Sequence, residues 1–414
     1  MGEQVLFTVT LGELAEVPGS PFAYWAPESL RRLFKKYPPL DRDVAGMPDQ
    51  PKIADVKQGL ATADDLRFTR FWWEVPVEQI ATSRAETFRG KKWVPFAKGG
   101  RPFYHDVALV VNWGNDGEEI RTFPEAVIRN ESFYFRPGLA WVKSDYTQTK
   151  GVQPIDARVM PQGTIFTAKQ MGIFLVDSAP KSLATLCGFL NSKVAVGFVS
   201  VVNPAGRSYE VGHIASIPIN SNIFVASILS KAVEEAYDLL REWATGEETA
   251  TVFVAPWIVQ VWLRRQSKTD ADLMPTTGHP LARDFAWSDW PSARAIRQAL
   301  AEGPVAPVSL RALAEACVRW QSNLQARLAE IQRRIDDEVY RLYGISDEDR
   351  SLIEAELGRV EEAEAEAEEV EESAEALEAE EEAGPPEGVL PPEEHIRRLV
   401  HHLAHQVIRE DPDG

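Results

Sequence analysis

A chain of 414 residues with 44% hydrophobic side chains and 12 tryptophans holds enough apolar material for two or three cores, so it reads as globular over most of its length. Its two cysteines, Cys187 and Cys317, each sit in a helix-like apolar pattern, which excludes a disulfide framework or a Cys-based metal site and fits a reducing compartment. The net charge of −19 argues against nucleic acid only until its distribution is read: Glu361 to Glu382 holds 13 Glu and no Lys or Arg, whereas Arg84, Arg89, Lys91, Lys92, Lys98 and Arg101 face one acid, Glu86.

The N-terminal stretch has no basic segment followed by an apolar one, and no run reaches the roughly 18 apolar residues of a membrane span, so a cytoplasmic protein is expected. To about residue 60 the chain is Pro-punctuated, with one helix expected at PESLRRLFKKY, Pro27 at its first position and Leu30, Leu33 and Phe34 on one face. From about Arg67 to Ile219 short strands are predicted: RFTRFWWEV, then DVALVVNW and EEIRTF joined as a hairpin through Asn115-Asp116-Gly117, then SFYFRPG, GTIFTAK and MGIFLVD. Before the Asn203-Pro204 pair, Leu183, Leu186, Cys187, Leu190 and Val194 follow a helical period. Beyond Ile219 the pattern is helical: 224–243, 256–265, 291–300, and 310–342, the last with an apolar stripe about thirty residues long that calls for a partner helix. Residues 347–382 continue as an Ala/Glu-rich helix former or disordered spacer, and a short amphipathic segment over 393–408 closes the chain.

The fold class expected is therefore α+β, with a connector over 1–66, a mixed-strand recognition domain over 67–220, a helical spacer or docking domain over 221–345, an acidic helix or linker over 346–388 and an amphipathic helix over 389–414.

Catalytic motifs are thin. Asn-Pro after an apolar run is where adenine amino-methyltransferases carry an Asn-Pro-Pro-aromatic box, whose Asn and Pro oxygens accept from the adenine amino group while the aromatic stacks on the flipped base. Here Asn203-Pro204-Ala205-Gly206 lacks the second Pro and the aromatic, and no strand, Gly-rich turn and helix unit precedes it to hold S-adenosylmethionine. Asn203 therefore reads as a turn or capping residue, with Arg207 and Ser208 beside it placed to touch a phosphate. His401 and His405 have metal-ligand spacing but no third ligand, so a solvated helix face is expected. What stands out is the basic and aromatic stretch Arg89, Lys91, Lys92, Trp93, Lys98, Arg101, Tyr104 and His105, where cations in Gly-bearing loops reach phosphates and base edges and aromatics pack on sugars or bases. Taken singly, Trp93, Phe103 and Trp113 read as core residues.

Several segments in order resemble the recognition half of large bacterial adenine-specific DNA methyltransferases of the phage-defence type, namely BREX PglX-like and DISARM enzymes and single-chain type II restriction-modification enzymes. They are PGSPFAYW (18–25), KQGLATADDLRFTRFWWEV (57–75), RGKKWVPFAKGG (89–100), LVVNWGNDGEEI (109–120), FLNSKV (189–194), VVNPAGRSYEVGHIASIPI (201–219) and YRLYGISDEDRSLIEAELG (340–358). The resemblance implies that 201–219 is a turn leading into the last strand of a target recognition domain; Ala205 stands where the family usually has Thr. With the basic and aromatic cluster, it leads to the expectation that the chain binds double-stranded DNA sequence-specifically, with Arg89, Lys91, Lys92, Trp93, Lys98, Arg101, Tyr104, Lys193, Arg207 and Ser208 as the candidate contacts. The catalytic domain and its S-adenosylmethionine would be supplied by another chain or a missing region, with other phage-defence proteins as partners and no cofactor, metal or catalytic residue in this chain. The alternatives are an interaction scaffold of a defence complex with an acidic, DNA-competing tail, and part of an active methyltransferase.

Overall fold

The computed structural model describes residues 10–266, apart from 20, 22, 100, 105, 144–153, 178 and 204–207, together with 309–367 and 388–410. In chain order the helices are α1 (Leu11–Leu14), α2 (Glu28–Lys36), α3 (Asp65–Phe68), α4 (Arg84–Thr87), α5 (Gly114–Arg121), α6 (Pro180–Leu190), α7 (Lys193–Val202), α8 (Val211–Ala215), α9 (Ser227–Ala244), α10 (Trp257–Gln266), α11 (Leu310–Tyr343), α12 (Asp347–Ala367) and α13 (Pro392–Glu410). The strands are β1 (Ala54–Lys57), β2 (Thr69–Phe71), β3 (Trp93–Ala97), β4 (Leu109–Asn112), β5 (Gly138–Val142), β6 (Arg158–Met160), β7 (Ile165–Phe166) and β8 (Gln170–Leu175). The architecture is α+β, as the sequence predicts.

Two four-stranded sheets and a helical layer stack on one another. The inner sheet, β1-β8-β5-β6, is antiparallel throughout; the outer sheet runs β2-β4-β3-β7, with β3 and β7 parallel. Alternation along the inner strands explains the layering, because successive side chains of a strand point to opposite faces. Met171, Ile173 and Leu175 of β8, with Leu139 and Trp141 of β5, join the helical core. Phe174 and Ala140, one residue out of step, join Phe96, Val111, Trp113 and Phe166 in the core between the sheets. Both faces of β8 are thus covered and all six of its residues are buried. Gly59 allows the chain to pass against the outer sheet, since a Cβ there would meet the Phe166 carbonyl oxygen at 2.0 Å.

The helical core draws on α2, α6, α7, α9, α11 and α12 through Leu30, Phe34, Phe189, Phe198, Leu229, Ile335, Tyr343 and Ile353. It runs across the boundaries expected at 66 and 220, and β1, from the expected connector, is an edge strand of the inner sheet. In α2, Glu28 opens and Lys35 and Lys36 close the helix, complementing its dipole. Pro27 is its cap rather than its first helical residue. The apolar stripe of α11 finds α9 along one length, and at its other end Leu313, Ala314 and Cys317 pack with Trp257, Ile258 and Val261 of α10 and with Ile396 and Leu399 of α13.

Several expected strands differ. Asn115, Asp116 and Gly117 do adopt positive φ (50, 57 and 78°), but the chain then turns helically through α5 and EEIRTF forms no strand. The reason lies in Asp116: its carboxylate accepts from the Trp113 indole at 3.1 Å and pairs with Arg84 and Arg121 at 3.2 and 3.3 Å, which folds the segment back on itself. SFYFRPG forms no strand of its own: Ser132 and Phe133 belong to a 3-10 turn at Glu131–Phe133, and its last residue, Gly138, opens β5 (GLAWV), a strand the sequence pattern did not single out. Ile217-Pro218-Ile219 is not a strand of either sheet; it makes an isolated bridge from Pro218 to Pro39, flanked by hydrogen bonds from Leu40 to Ile217 and from Ile219 to Pro38. The expected helix at 291–300 lies outside the described residues. Among those described, no single helix is long and apolar enough to cross a membrane; the α6–α7 pair passes by composition only as a bent unit, and it is buried in the core.

Candidate nucleic-acid interface

The basic stretch divides in two. The first half, residues 81–92, lies on the outer sheet between the Ala81 amide, bonded to the Trp93 carbonyl, and the start of β3. Glu86, its single acid, organises it. The carboxylate accepts from the Thr82 amide at 2.8 Å and from Lys91 Nζ at 2.7 Å, and these bonds, that of Lys91 foremost, lower its pKa to about 2. Thr87 is fully buried; its hydroxyl donates to the Arg84 carbonyl and accepts from the Asp116 amide. Gly90, at φ 96°, makes the turn. Arg84 is taken up by Asp116 and the Glu131 carbonyl. Arg89 and Lys92 are exposed, and among the described residues no acid pairs with either. Trp93 is half-buried, packed against Val75, Ile80 and Val110 with Lys92 Nζ 5.4 Å from its ring centre.

The second half turns inward. Lys98 pairs with Asp65 at 3.0 Å. Phe103 bridges Arg158 on β6, at the edge of the inner sheet, and the buried Arg158 guanidinium donates to the Gly99 carbonyl at 2.6 Å. Arg101 reaches Glu247 at 3.6 Å and lies 5.2 Å from the Trp243 ring centre, so it joins the sheets to the end of α9. Tyr104 is buried edge-on to Tyr237 of α9, and its hydroxyl donates to Asp106 at 3.3 Å. Asp106 in turn accepts from the Thr251 amide at 2.9 Å and from the Thr251 hydroxyl. Burial raises the pKa of both Asp106 and Glu247.

The remaining candidates lie elsewhere. Lys193 opens α7; its amide donates to the buried Asp336 of α11 at 2.8 Å and its Nζ pairs with Glu354 at 3.3 Å, a tie between helices. Asn203 caps the C-terminus of α7 and its side-chain amide donates to the Ser208 carbonyl at 2.8 Å, the turn role its sequence context predicts. Arg207 and His105 lie outside the described residues. His401 and His402 both lie beside Glu248, at 3.1 and 3.5 Å, and among the described residues no group of three or more His, Cys, Asp or Glu is placed to hold a metal. The structure thus brings Arg89, Lys91, Lys92 and Trp93 together on the outer sheet and separates them from Lys98, Arg101, Tyr104, Lys193 and Ser208.

A second surface was not singled out from sequence. Phe71 and Trp73, 40% and 44% exposed, stack in parallel with ring centres 4.5 Å apart, beside the exposed Glu74 and Glu78. The run of three aromatics in RFWWEV is its only sequence signal.

No protein-family model matches the chain. Over 226 residues it is 29% identical to an adenine-specific methyltransferase, BrxX, of Escherichia coli O9:H4 strain HS, a match covering 54% of this chain and 17% of that protein. Over 215 residues it is 28% identical to the adenine-specific methyltransferase PglX of Lacticaseibacillus casei strain Zhang, covering 49% of this chain and 16% of that one. The chain is homologous to part of two adenine-specific methyltransferases. The matches span about one-sixth of the length of these curated relatives.

Proposed function

We propose that the chain is the double-stranded DNA recognition part of an adenine-specific DNA methyltransferase acting in phage defence, with catalysis and S-adenosylmethionine binding carried by sequence outside it. The observation that carries this reading is the homology to a limited portion of two adenine-specific methyltransferases, joined to a sequence in which the Asn203-Pro204 pair lacks the rest of a catalytic box. The outer-sheet loop supplies the electrostatic means: Arg89 and Lys92 stand clear of the acids that neutralise their neighbours, in a protein whose net charge of −19 would otherwise repel a phosphate backbone. Lys91 and Trp93 support this loop, Lys91 through Glu86 and Trp93 through the hydrophobic cluster beneath it. The inner sheet and α9 to α11 form the platform to which a methyltransferase partner or domain docks.

Titration of labelled duplex DNA with the full chain over a range of salt tests this reading. Affinity that falls linearly with log salt supports it; no binding at low salt removes it. A second reading, an interaction scaffold, is favoured by the exposed Phe71–Trp73 pair beside Glu74 and Glu78 and by the 13 Glu between 361 and 382. It would gain if duplex binding is absent while a methyltransferase partner is retained.

A further inference from the structure

Phe88 is 61% exposed, the most exposed aromatic side chain among the described residues, and it sits in the same loop as Arg89 and Lys92. Leaving an aromatic ring in water forgoes roughly 2 kcal/mol of burial, yet the loop is not built to fold this ring inward. It is held on both sides of Phe88. The Thr87 side chain is anchored in the protein by two hydrogen bonds, the Arg89 and Lys91 amides both donate to the Glu86 carbonyl, and Gly90 closes the turn at positive φ. Phe88 itself has helical backbone angles, φ −78° and ψ −9°, so its outward direction follows from an unstrained chain. The exposed aromatic pair Phe71 and Trp73 has one cation, Arg70, and two acids, Glu74 and Glu78, as its neighbours in sequence, a balance less favourable to phosphate. Phe88 is flanked by two cations without acidic partners.

Resting on the DNA-recognition reading above, we infer that Phe88 is a base-contacting prong: its ring stacks on or wedges between base pairs of duplex DNA while Arg89 and Lys92 take the adjoining phosphates. Apolar wedges work this way because the contacts they permit offset the unstacking of one base step, and a prong held in place by its own loop loses little freedom on insertion. Glu86 and Thr87 are positioning residues in this arrangement. They touch no DNA and set the direction of the ring.

The test uses the full chain and a labelled pool of random-sequence duplexes, with affinity measured across a salt series and thermal midpoints recorded for every variant. Phe88→Ala is expected to keep its thermal midpoint, to bind roughly 5- to 100-fold more weakly, and to retain the salt slope of the unsubstituted chain. Phe88→Trp is expected to restore affinity. The double variant Arg89→Ala, Lys92→Ala is expected to lower the slope of log affinity on log salt by about 2. If Phe88→Ala binds as well as the unsubstituted chain, or if Phe88→Trp is as weak as Phe88→Ala, the inference is overturned while the DNA-recognition reading stands. If the unsubstituted chain shows no salt-dependent binding, both fall.

Discussion

Residues 89–93 and 98–104 look alike in sequence, each a Gly-bearing cluster of cations leading to aromatics, and the fold puts them to opposite uses. The first is joined to the body through Glu86 and Thr87 and leaves Arg89 and Lys92 in solvent. In the second, Phe103 bridges β6 at the edge of the inner sheet, and Arg101 and Tyr104, with Asp106 just beyond the segment, meet the helical layer and the loop after α9. The difference is set by neighbours far away in sequence. A cation becomes structural when a buried acid such as Glu247 waits opposite it, and Arg89 and Lys92 have none. The lesson is that a basic stretch is read one residue at a time, by what each charge meets.

Substitution should separate the two segments. The largest effect is expected for Tyr104→Ala, which empties a buried aromatic site against Tyr237 and leaves Asp106 short of a donor; a loss of about 3–5 kcal/mol in urea unfolding is expected. Arg101→Ala should cost about 1–2 kcal/mol, because the buried Glu247 loses its cation. Equal stability of the Arg101 variant and the parent would show that the Arg101–Glu247 pair contributes nothing. Glu86→Ala should cost about 1 kcal/mol and speed hydrogen exchange at the Thr82 amide, since that donor loses its acceptor. The two segments also differ in the sign of their pH dependence. Glu86, held to about 2, contributes stability that is complete above the ordinary carboxyl range and lost as pH falls through about 2. Asp106 and Glu247, raised by burial, act the other way: they favour the folded state below about pH 4 and that contribution declines as pH rises through their folded values. Replacing the pair, Asp106→Asn with Glu247→Gln, should make stability rise more steeply between pH 4 and 7 than in the parent, and an unchanged slope would contradict the raised values of the inward pair. The smallest stability effect, within about 0.5 kcal/mol, is expected for Arg89→Ala and Lys92→Ala, which touch no acid.

Much of this was legible in the sequence. The helical period of 183–190 and the long stripe of 310–342 predicted helices that form, because burying such a stripe leaves a helix few alternatives. The break at Asn191-Ser192 was less visible: Ser192 caps α7, and Asn191 bonds both the amide and the carbonyl of Ala157, a residue distant in sequence. The Asn-Asp-Gly turn showed its left-handed backbone in advance but not its exit, which depends on Arg84 and Arg121 converging on Asp116. β5 escaped notice because GLAWV is buried on both faces and so shows no polar alternation. Of the candidate site, the local charge excess was readable and its neutralisation was not. Pairing of Lys91 with Glu86 lies five residues apart, whereas the partners of Lys98, Arg101 and Lys193 lie 33, 146 and 161 residues away in the chain.

The measurement that bears most directly on the division of labour is the salt dependence of duplex binding by three proteins: the unsubstituted chain, Arg89→Ala with Lys92→Ala, and Lys98→Ala. The account predicts a slope about 2 shallower for the double variant and unchanged for Lys98→Ala, whose cation is engaged by Asp65. A slope that drops for Lys98→Ala and holds for the double variant would contradict it, placing the DNA on the segment that faces the helices.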